Sequence, residues 1–293
     1  MTTIALSDFH AETGQMKRGK CVDDFGPRNG AADEALTELV EMPQCERCQE
    51  PGSIGSLFAG PARSLHPDVI VESYIVHDGE AHEIPPPPRI ITPGEWFELH
   101  QDLARVAAHD PTEALDMIFE AHPGISAAWD CIAEDIAGKR RYCRGNHESL
   151  IPLGFVYRGV EFVDYAIFEV NGQRVWVEHG HAHDELVARY PRLCRTVTNV
   201  VGKLERRWHP DVDVWAQRLF AWLSRTGRHG GNERYWPEVG FAAMEHDCER
   251  AVFGHTHQKD WDQGWYGSDA TCVVVNNTGT WVNGKRDVTR IEA

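Results

Sequence analysis

The sequence predicts an α/β protein with its polar site at the ends of β-strands. Apolar strand-like segments alternate with helical stretches, and polar residues follow several of these strands. The 293 residues, 42% of them hydrophobic, are enough to bury a substantial core. We therefore expect one domain over residues 1–293 that carries insertions.

The strand-like segments come first at 2–7 and 89–92, and a third follows at 141–144. Helical stretches predicted over 96–108 and 111–139 separate the last two, and this alternation favours a parallel sheet. Asn171-Gly172 is a strong hairpin signal. It predicts paired strands at 166–170 and 174–178, and further strands are predicted at 69–76, 250–253 and 272–276.

Two regions interrupt this pattern. Residues 11–84 are rich in Gly, Pro, Cys and charge and are expected to form an irregular insertion. Residues 185–248 have amphipathic periodicity and are expected to form a helical cap, with a second helix at 214–224. We expect one apolar stripe of the cap to pack on the domain as core: Leu193, Val197, Val200, Val201 and Leu204.

The cysteines and the N-terminal sequence indicate which cellular compartment to expect. Eight cysteines in a chain of this size fit reduced thiols better than a disulfide framework. Cys45 and Cys48 form a CxxC pair, which we interpret as a turn with two free thiols; a zinc knuckle would also need ligands such as Cys21 and His66. Residues 1–10 lack a basic and apolar leader, and a cytoplasmic protein is expected.

Charge is unevenly distributed along the chain. The formal charge of −16 disfavours a nucleic-acid partner, because such proteins neutralise phosphates with Lys and Arg. Residues 189–234 hold ten basic and four acidic residues, so they carry +6 while the rest of the chain carries −22. This basic region could cap an anionic substrate or be a solvated face. With Trp208, Trp215 and Trp222 it could instead form a lipid-facing or membrane-binding surface.

Four predicted strand ends are each followed by possible metal ligands. Carboxylate, imidazole and amide groups together suit Mn²⁺, Fe²⁺ or Zn²⁺, whereas a site of oxygen ligands alone would suit Mg²⁺ or Ca²⁺. Glycine beside three of the clusters allows the backbone to turn sharply. The clusters are Asp8-Phe9-His10, Gly145-Asn146-His147-Glu148, His179-Gly180-His181 and Gly254-His255-Thr256-His257.

In this order the clusters resemble the motifs of the calcineurin-like metallophosphoesterases. The tail Asn277-Thr278-Gly279-Thr280-Trp281 resembles a stretch that follows the last motif in many members. The block 178–184 and the helical insertion are most similar to the UDP-2,3-diacylglucosamine pyrophosphatase-like branch. The resemblance implies a fold with two mixed β-sheets in a sandwich flanked by helices, and a cofactor of two divalent metals, manganese first, with iron or zinc as alternatives.

The resemblance also implies a ligand set. Asp8, His10 and His257 would hold one metal, and Asn146, His179 and His255 the other. Where the family has a bridging aspartate in Gly-Asp-x-x-Asp, this chain has Glu95, whose longer side chain changes the distance from backbone to metal. Asp78 or Asp24 could bridge instead, but neither follows an apolar strand into a Gly-acid turn.

Further roles follow from the same resemblance. His147 would lie over the phosphoryl group and Glu148 would orient it. Arg144 could bind a substrate phosphate or be a surface arginine at a strand end. Glu98 is expected to make only an outer contact or to sit at a helix N-terminus. His181 and His183 are weaker candidates for ligands.

The function implied is hydrolysis of a phosphate ester or diphosphate in a small phosphorylated substrate, with the leaving group open. One alternative is a metal-binding scaffold or regulator with impaired catalysis, for which Glu95 is the only support. Another is a nuclease of the same superfamily, which the acidic charge disfavours and the basic insertion keeps open.

Overall fold

The computed structural model describes most of the predicted strands and the residues around them. The predictions for the cysteine pair Cys45–Cys48, for the second cap helix and for the alternative bridges Asp24 and Asp78 concern residues outside the described part of the chain. The described residues are 2–11, 16–17, 20–21, 32–41, 74–77, 80–83, 87–100, 103–208, 235–259, 263–266, 272–280 and 287–291.

The strands are numbered in chain order. They are β1 (Thr3–Ala5), β2 (Met16–Lys17), β3 (Lys20–Cys21), β4 (Tyr74–His77), β5 (Glu80–Glu83), β6 (Arg89–Ile91), β7 (Arg141–Cys143), β8 (Val156–Tyr157), β9 (Val160–Val163), β10 (Tyr165–Val170), β11 (Gln173–Glu178), β12 (Arg250–Phe253), β13 (Gln263–Tyr266), β14 (Cys272–Asn277) and β15 (Thr289–Arg290).

The α-helices are numbered in the same way, and a short 3₁₀ helix covers His181–His183. They are α1 (Ala32–Glu41), α2 (Ala104–His109), α3 (Pro111–Ala121), α4 (Pro123–Asp130), α5 (Glu185–Arg189), α6 (Pro191–Arg207) and α7 (Trp236–Glu245).

One layer of the fold is built around β1. This strand pairs in parallel with β6, with Ile4 opposite Ile90, and antiparallel with β15. A second mixed sheet has the order β7-β9-β8. It lies beside the first, because the amide of Cys143 in β7 donates to the carbonyl of Thr92 just after β6, at 3.3 Å.

The other layer is a five-stranded mixed sheet in the order β10-β11-β12-β14-β13. Its β11, β12 and β14 run parallel, so their carboxyl ends meet at one edge. The predicted hairpin is confirmed: β10 and β11 pair antiparallel, and Asn171 and Gly172 both have the positive φ that such a tight turn requires.

Apolar side chains hold these layers together. A buried cluster with Ile91 and Cys143 from the first layer and Val177 and Val252 from the second fills the space between the sheets. A second cluster packs α1, α3 and α4 on the first layer, and a third packs α7 on the five-stranded sheet. The predicted α/β class, with mixed sheets packed face to face and flanked by helices, is therefore confirmed.

The predicted helix over 96–108 is wrong in its first half. Helix α2 begins only at Ala104. The amide of Trp96 donates to the Tyr142 hydroxyl at 2.7 Å and that of Phe97 to a Glu148 oxygen at 3.0 Å. The first amides of a helix have no partner within it, but the Trp96 carbonyl, which a helix would pair with the amide of His100, accepts instead from the amide of Ala11 at 2.9 Å.

The helix predicted over 111–139 is also interrupted. Pro123 lacks an amide hydrogen and starts a new helix, so α3 ends at Ala121 and α4 at Asp130. Beyond α4 the chain joins the sheet, since the amide of Ala133 donates to the Ile90 carbonyl at 2.8 Å.

Helix α1 was not predicted within the insertion 11–84. It buries Leu36 and Val40 in the core, and Asp33 accepts a hydrogen bond from the amide of Gly124 at the start of α4, at 2.9 Å. The described part of this insertion therefore contributes to the core of the domain.

Helix α6 has the opposite orientation from the one expected. Four of the five residues of its apolar stripe are exposed and Val201 is half-buried, while Arg195 and Asn199 face the domain. Arg195 donates to the Ser149 hydroxyl at 2.9 Å and Asn199 to the His100 carbonyl at 3.0 Å, so polar contacts fix the inward face. Among the described helices, none is both long and apolar enough to cross a bilayer.

Candidate metal centre

Backbone strain is concentrated at the predicted ligands. In the described part of the chain, eight non-glycine residues have positive φ, and five of them were predicted to bind metal. Such conformations are unfavourable for residues with a Cβ and are kept mainly at functional sites. The five are Asp8, His10, Glu95, His255 and His257.

Two loops are joined by main-chain hydrogen bonds at the centre of the site. The amides of Asp8 and Phe9 donate to the carbonyls of Gly94 and Glu95, at 3.1 and 2.8 Å. The amide of His10 donates to the same Glu95 carbonyl at 3.1 Å. This pairing fixes the Asp8–His10 segment against the Glu95 turn before any ligand is considered.

The first group of possible ligands consists of Asp8, His10, Glu95 and His257, which can place one ligand atom each within 4.8 Å of one another. His257 Nε2 lies 3.3 Å from Asp8 Oδ1 and 3.1 Å from His10 Nε2. The other Asp8 oxygen contacts the Ser7 hydroxyl, which in turn contacts Thr278. The Asp8 carboxylate is thus held with one oxygen towards the histidines.

The second group consists of Glu95, His179 and His255, also within 4.8 Å. His179 Nδ1 lies 2.9 Å from the Pro93 carbonyl, which requires the proton on that nitrogen. Its Nε2 makes no well-aligned hydrogen bond and lies 3.1 Å from Glu95 Oε1. An imidazole held in this way presents a lone pair to the site, as metal-binding histidines do.

Glu95 belongs to both groups. Its Oε2 lies 3.3 Å from His10 Nε2, and its Oε1 lies 3.1 Å from His179 Nε2. The side chain is buried, so bulk water does not hydrogen-bond to either oxygen. A carboxylate with one oxygen in each group has the position expected of a bridge between two cations.

Two glycines make this close approach possible. A Cβ on Gly145 would overlap the Cγ of Glu95. A Cβ on Gly254 would lie 2.5 Å from an Asp8 oxygen and 2.7 Å from the Ser7 hydroxyl. Any larger residue at either position would push a possible ligand out of place.

The buried charges of the cluster depend on one another. Burial disfavours ionised Glu95, yet His179 and His147 hold its pKa well below the usual value. Burial would lower the pKa of His179, but Glu95 and Asp8 raise it to about 9. The imidazoles balance the carboxylates only when protonated, and divalent cations would supply the same charge without those protons.

The remaining predicted ligand, Asn146, follows Gly145 in the loop after β7. Its side-chain oxygen is buried and has no hydrogen-bond partner. An unpaired buried amide oxygen is costly unless something binds it. With the Nε2 of His179 and the mixed carboxylate, imidazole and amide donors, the residues fit a borderline divalent metal.

His147 has a different partner from the one predicted. Glu148 does not orient it: the Glu148 carboxylate accepts from the Tyr142 hydroxyl and from three amides, those of Glu95, Phe97 and Gly145. The partner is Glu98, which contacts Nδ1 of His147 and lies outside any helix. Burial raises the pKa of Glu148 to about 7, and the hydrogen bonds from Tyr142, Gly145 and Phe97 offset only part of that effect.

Of the two interpretations of Arg144, the geometry agrees with the structural one. Its guanidinium donates to the Ile151 carbonyl at 2.8 Å and to Asp164 at 3.3 Å. These contacts tie the loop after β7 to the turn after β9. Both terminal nitrogens of the guanidinium therefore already contact protein groups.

Sequence reasoning missed Arg195 as a site residue. The Ser149 hydroxyl lies 2.9 Å from both Arg195 Nη2 and His100 Nε2, and the His100 ring stacks on His147 at 5.6 Å. Arg195 thus reaches the rim of the site from α6. The only sequence signal was the excess of basic residues in the insertion.

Asp184 is a second residue that sequence reasoning left unassigned. Its Oδ2 lies 3.3 Å from His255 Nε2 and 3.1 Å from the Tyr235 hydroxyl. His181 is mostly buried beside His179, and burial lowers its pKa to about 3, with further lowering by His179 and His255. His183 instead contacts Glu178 at 2.6 Å, in line with its weaker assignment.

Comparison with known proteins gives a limited result. No protein-family model matches the chain, and no curated protein matches its sequence. A conserved uncharacterized protein of Streptococcus pneumoniae TIGR4, described as a predicted phosphoesterase, is 11% identical; the match covers 99% of this chain and 83% of that one, with a TM-score of 0.32. Vacuolar Protein Sorting 29 from Cryptosporidium parvum is 13% identical over 65% of this chain and 57% of its own, with a TM-score of 0.22. Both TM-scores are low, so the chemistry of the site has to be argued from its own side chains.

Proposed function

We propose that the chain is a metal-dependent phosphoesterase that hydrolyses a phosphate ester or diphosphate at a centre of two divalent cations. The observation that supports this most is the position of Glu95, whose two oxygens face His10 in one ligand group and His179 in the other. A single carboxylate shared by two groups is suited to a pair of cations and unnecessary for one.

In this proposal Asp8, His10 and His257 hold one cation and Asn146, His179 and His255 the other, with Glu95 common to both. Two such cations, when bound, supply Lewis-acid stabilisation of phosphoryl charge and lower the pKa of water. Manganese is our first choice, with iron and zinc as alternatives, because the donors are mixed nitrogen and oxygen.

His147 serves as the proton donor to the leaving oxygen. Its Nδ1 is occupied by Glu98, so the proton available to substrate is on Nε2. Burial would lower the pKa of His147, but Glu98 and Glu95 raise it, which favours the protonated imidazole. Glu98 is a positioning residue, since it fixes the ring and stabilises its charge.

Arg195 supports an anionic part of the substrate beside His147. Its contact with Ser149 uses one nitrogen of a five-donor guanidinium, and its Nε has no hydrogen-bond partner. A small substrate with a second phosphate, or another negative group near the scissile bond, would suit this position. The diphosphate of a nucleotide-sugar lipid, which the sequence resemblance suggests, is one member of this class.

The test combines metal analysis with a substrate panel. We expect close to two metals per chain after incubation with Mn²⁺, Zn²⁺ or Fe²⁺. We also expect hydrolysis of bis(4-nitrophenyl) phosphate, 4-nitrophenyl phosphate or a nucleoside diphosphate sugar. Single-stranded DNA in the panel tests the nuclease alternative. Metal without hydrolysis of any substrate would favour the scaffold alternative, and failure to bind metal would overturn the proposal.

A further inference from the structure

Helix α6 presents its polar face to the protein and its apolar face to the outside. The inward face is defined by Arg195 and Asn199, which bind Ser149 and the His100 carbonyl. A surface helix of a globular protein normally has the reverse arrangement, with the apolar stripe towards the core. The contacts on the inward side show that this orientation is fixed by hydrogen bonds.

The outward face is a continuous apolar stripe. Its members recur at spacings of three and four residues, which places them on one side of a helix. Each is substantially exposed: Leu193 56%, Val197 37%, Val200 48%, Leu204 42% and Trp208 65%. Single exposed apolar residues are ordinary, but a contiguous stripe of five marks an interaction surface.

Positive charge flanks this stripe. Arg192, Lys203 and Arg207 are exposed, and their helical positions fall along one border of the apolar face. The α6 sequence has five basic residues and one acidic residue in a protein of formal charge −16. The apolar face and the basic border therefore occur together on a helix whose charge opposes that of the whole chain.

We infer that α6 lies on an anionic phospholipid surface, with its apolar face at the acyl boundary and Arg192, Lys203 and Arg207 among the headgroups. An apolar face with a basic border is the arrangement of helices that lie in the plane of a membrane interface. Since Arg195 on the opposite face reaches the rim of the metal centre, binding would hold that centre close to the lipid surface.

A second copy of the chain fits this face less well. Two α6 helices packed through their apolar stripes would bring two basic helices together, and the α6 sequence has only Glu205 to offset that charge. Anionic lipid supplies the missing opposite charge, at about 1 kcal/mol per basic residue near the surface. Charge complementarity thus favours the membrane over the dimer.

The experiment is sedimentation of the full-length protein with vesicles. Vesicles of phosphatidylcholine alone are compared with vesicles containing phosphatidylglycerol, at low and high salt. We expect binding only to the anionic vesicles and loss of binding at high salt. Leu204→Asp should reduce binding at least tenfold, and Lys203→Gln with Arg207→Gln by about the same factor while leaving the apolar face intact.

Phe241→Asp is the matched control, because Phe241 is a comparably exposed apolar residue (52%) on a different helix, α7. It should bind vesicles as the wild type does, and all three variants should hydrolyse a soluble substrate at the wild-type rate. Equal binding to neutral and anionic vesicles would overturn the inference, and so would undiminished vesicle binding by the Leu204→Asp variant. A wild-type dimer that Leu204→Asp dissociates, without vesicle binding, would show that the occupant is a second copy. Vesicle binding needs no substrate, so its failure is independent of the proposed activity.

Discussion

Nδ1 of His147 contacts the carboxylate of Glu98, so the histidine of one motif is fixed by an acid three residues after the shared carboxylate. Glu98 is buried and its other oxygen accepts from the amide of His100 at 2.7 Å. Both oxygens of the Glu98 carboxylate are therefore engaged. Glu98 gives His147 both an orientation and a raised pKa, against the lowering effect of burial.

Replacing His147 by Ala should lower the hydrolytic rate by about 10²–10⁴-fold while leaving the metal content unchanged. In the proposed function His147 donates a proton and is not one of the inferred ligands. Steady-state kinetics and elemental analysis on the same preparation measure the two effects. Loss of both metals would mean that His147 is a ligand and not a proton donor.

Glu98→Gln should lower the rate by about 10–100-fold and change the pH–rate profile. A proton donor works only below its pKa, and Glu98 raises the pKa of His147. Without that charge, the fall in rate at high pH should begin at a lower pH than in the wild type. An unchanged profile would show that Glu98 has only a structural role.

Glu95→Gln should weaken both metals together, because it removes a charge from the point where two cations would repel each other. Metal content after dialysis measures this directly. Glu95→Asp is the informative companion: a higher rate would show that the longer side chain limits catalysis, and a lower rate that the site has adapted to it. If Glu95→Gln left metals and rate untouched, the bridge would have to come from elsewhere in the chain.

Metal affinity should rise with pH up to about pH 9, near the pKa of His179, with protons released on binding. Glu95 raises the pKa of His179 to about 9, and Glu95 with Glu98 raises that of His10 well above its usual value, in both cases against burial. A cation must displace these protons, and it does so more easily as pH increases. Titration calorimetry in buffers of different ionisation enthalpy counts the protons. Binding independent of pH would contradict this account of the buried charges.

Glu148→Gln should destabilise the fold by about 2–3 kcal/mol, since an amide nitrogen cannot accept from the backbone amides that now surround the carboxylate. Denaturant unfolding measures the change. Glu113→Gln, at an exposed position on α3, is the control and should stay within about 0.5 kcal/mol. A stable Glu148→Gln protein that had lost its activity would instead favour a direct catalytic role for Glu148.

Arg195→Ala should raise KM by about tenfold for a diphosphate, with a smaller effect on a monoester, because the guanidinium would bind the additional charge. Arg195→Lys should recover part of the loss. Arg144→Ala is the contrast: its contacts to Ile151 and Asp164 are internal, so stability should fall while KM stays the same. Unchanged stability with a raised KM would instead indicate that Arg144 binds the substrate.

The sequence by itself determined which residue types follow the strand ends and in what order. Asp8, Asn146 and His255 each come directly after, or within three residues of, a buried strand, and parallel strands bring their carboxyl ends to one edge. Local patterns also determined the Asn171-Gly172 hairpin, because its turn geometry depends only on neighbouring residues. Short-range physics was sufficient for these predictions.

Only the tertiary structure decided how distant groups pair. That Glu98 rather than Glu148 contacts His147 depends on the turn after β6 meeting the loop after β7, segments about 50 residues apart. The orientation of α6 could likewise not be predicted from the sequence, because periodicity shows that a helix has two faces but not which face packs inward. The inward face is set by hydrogen bonds from Arg195 and Asn199 to the loops that carry Ser149 and His100, and these bonds form only once the sheets have brought those loops together.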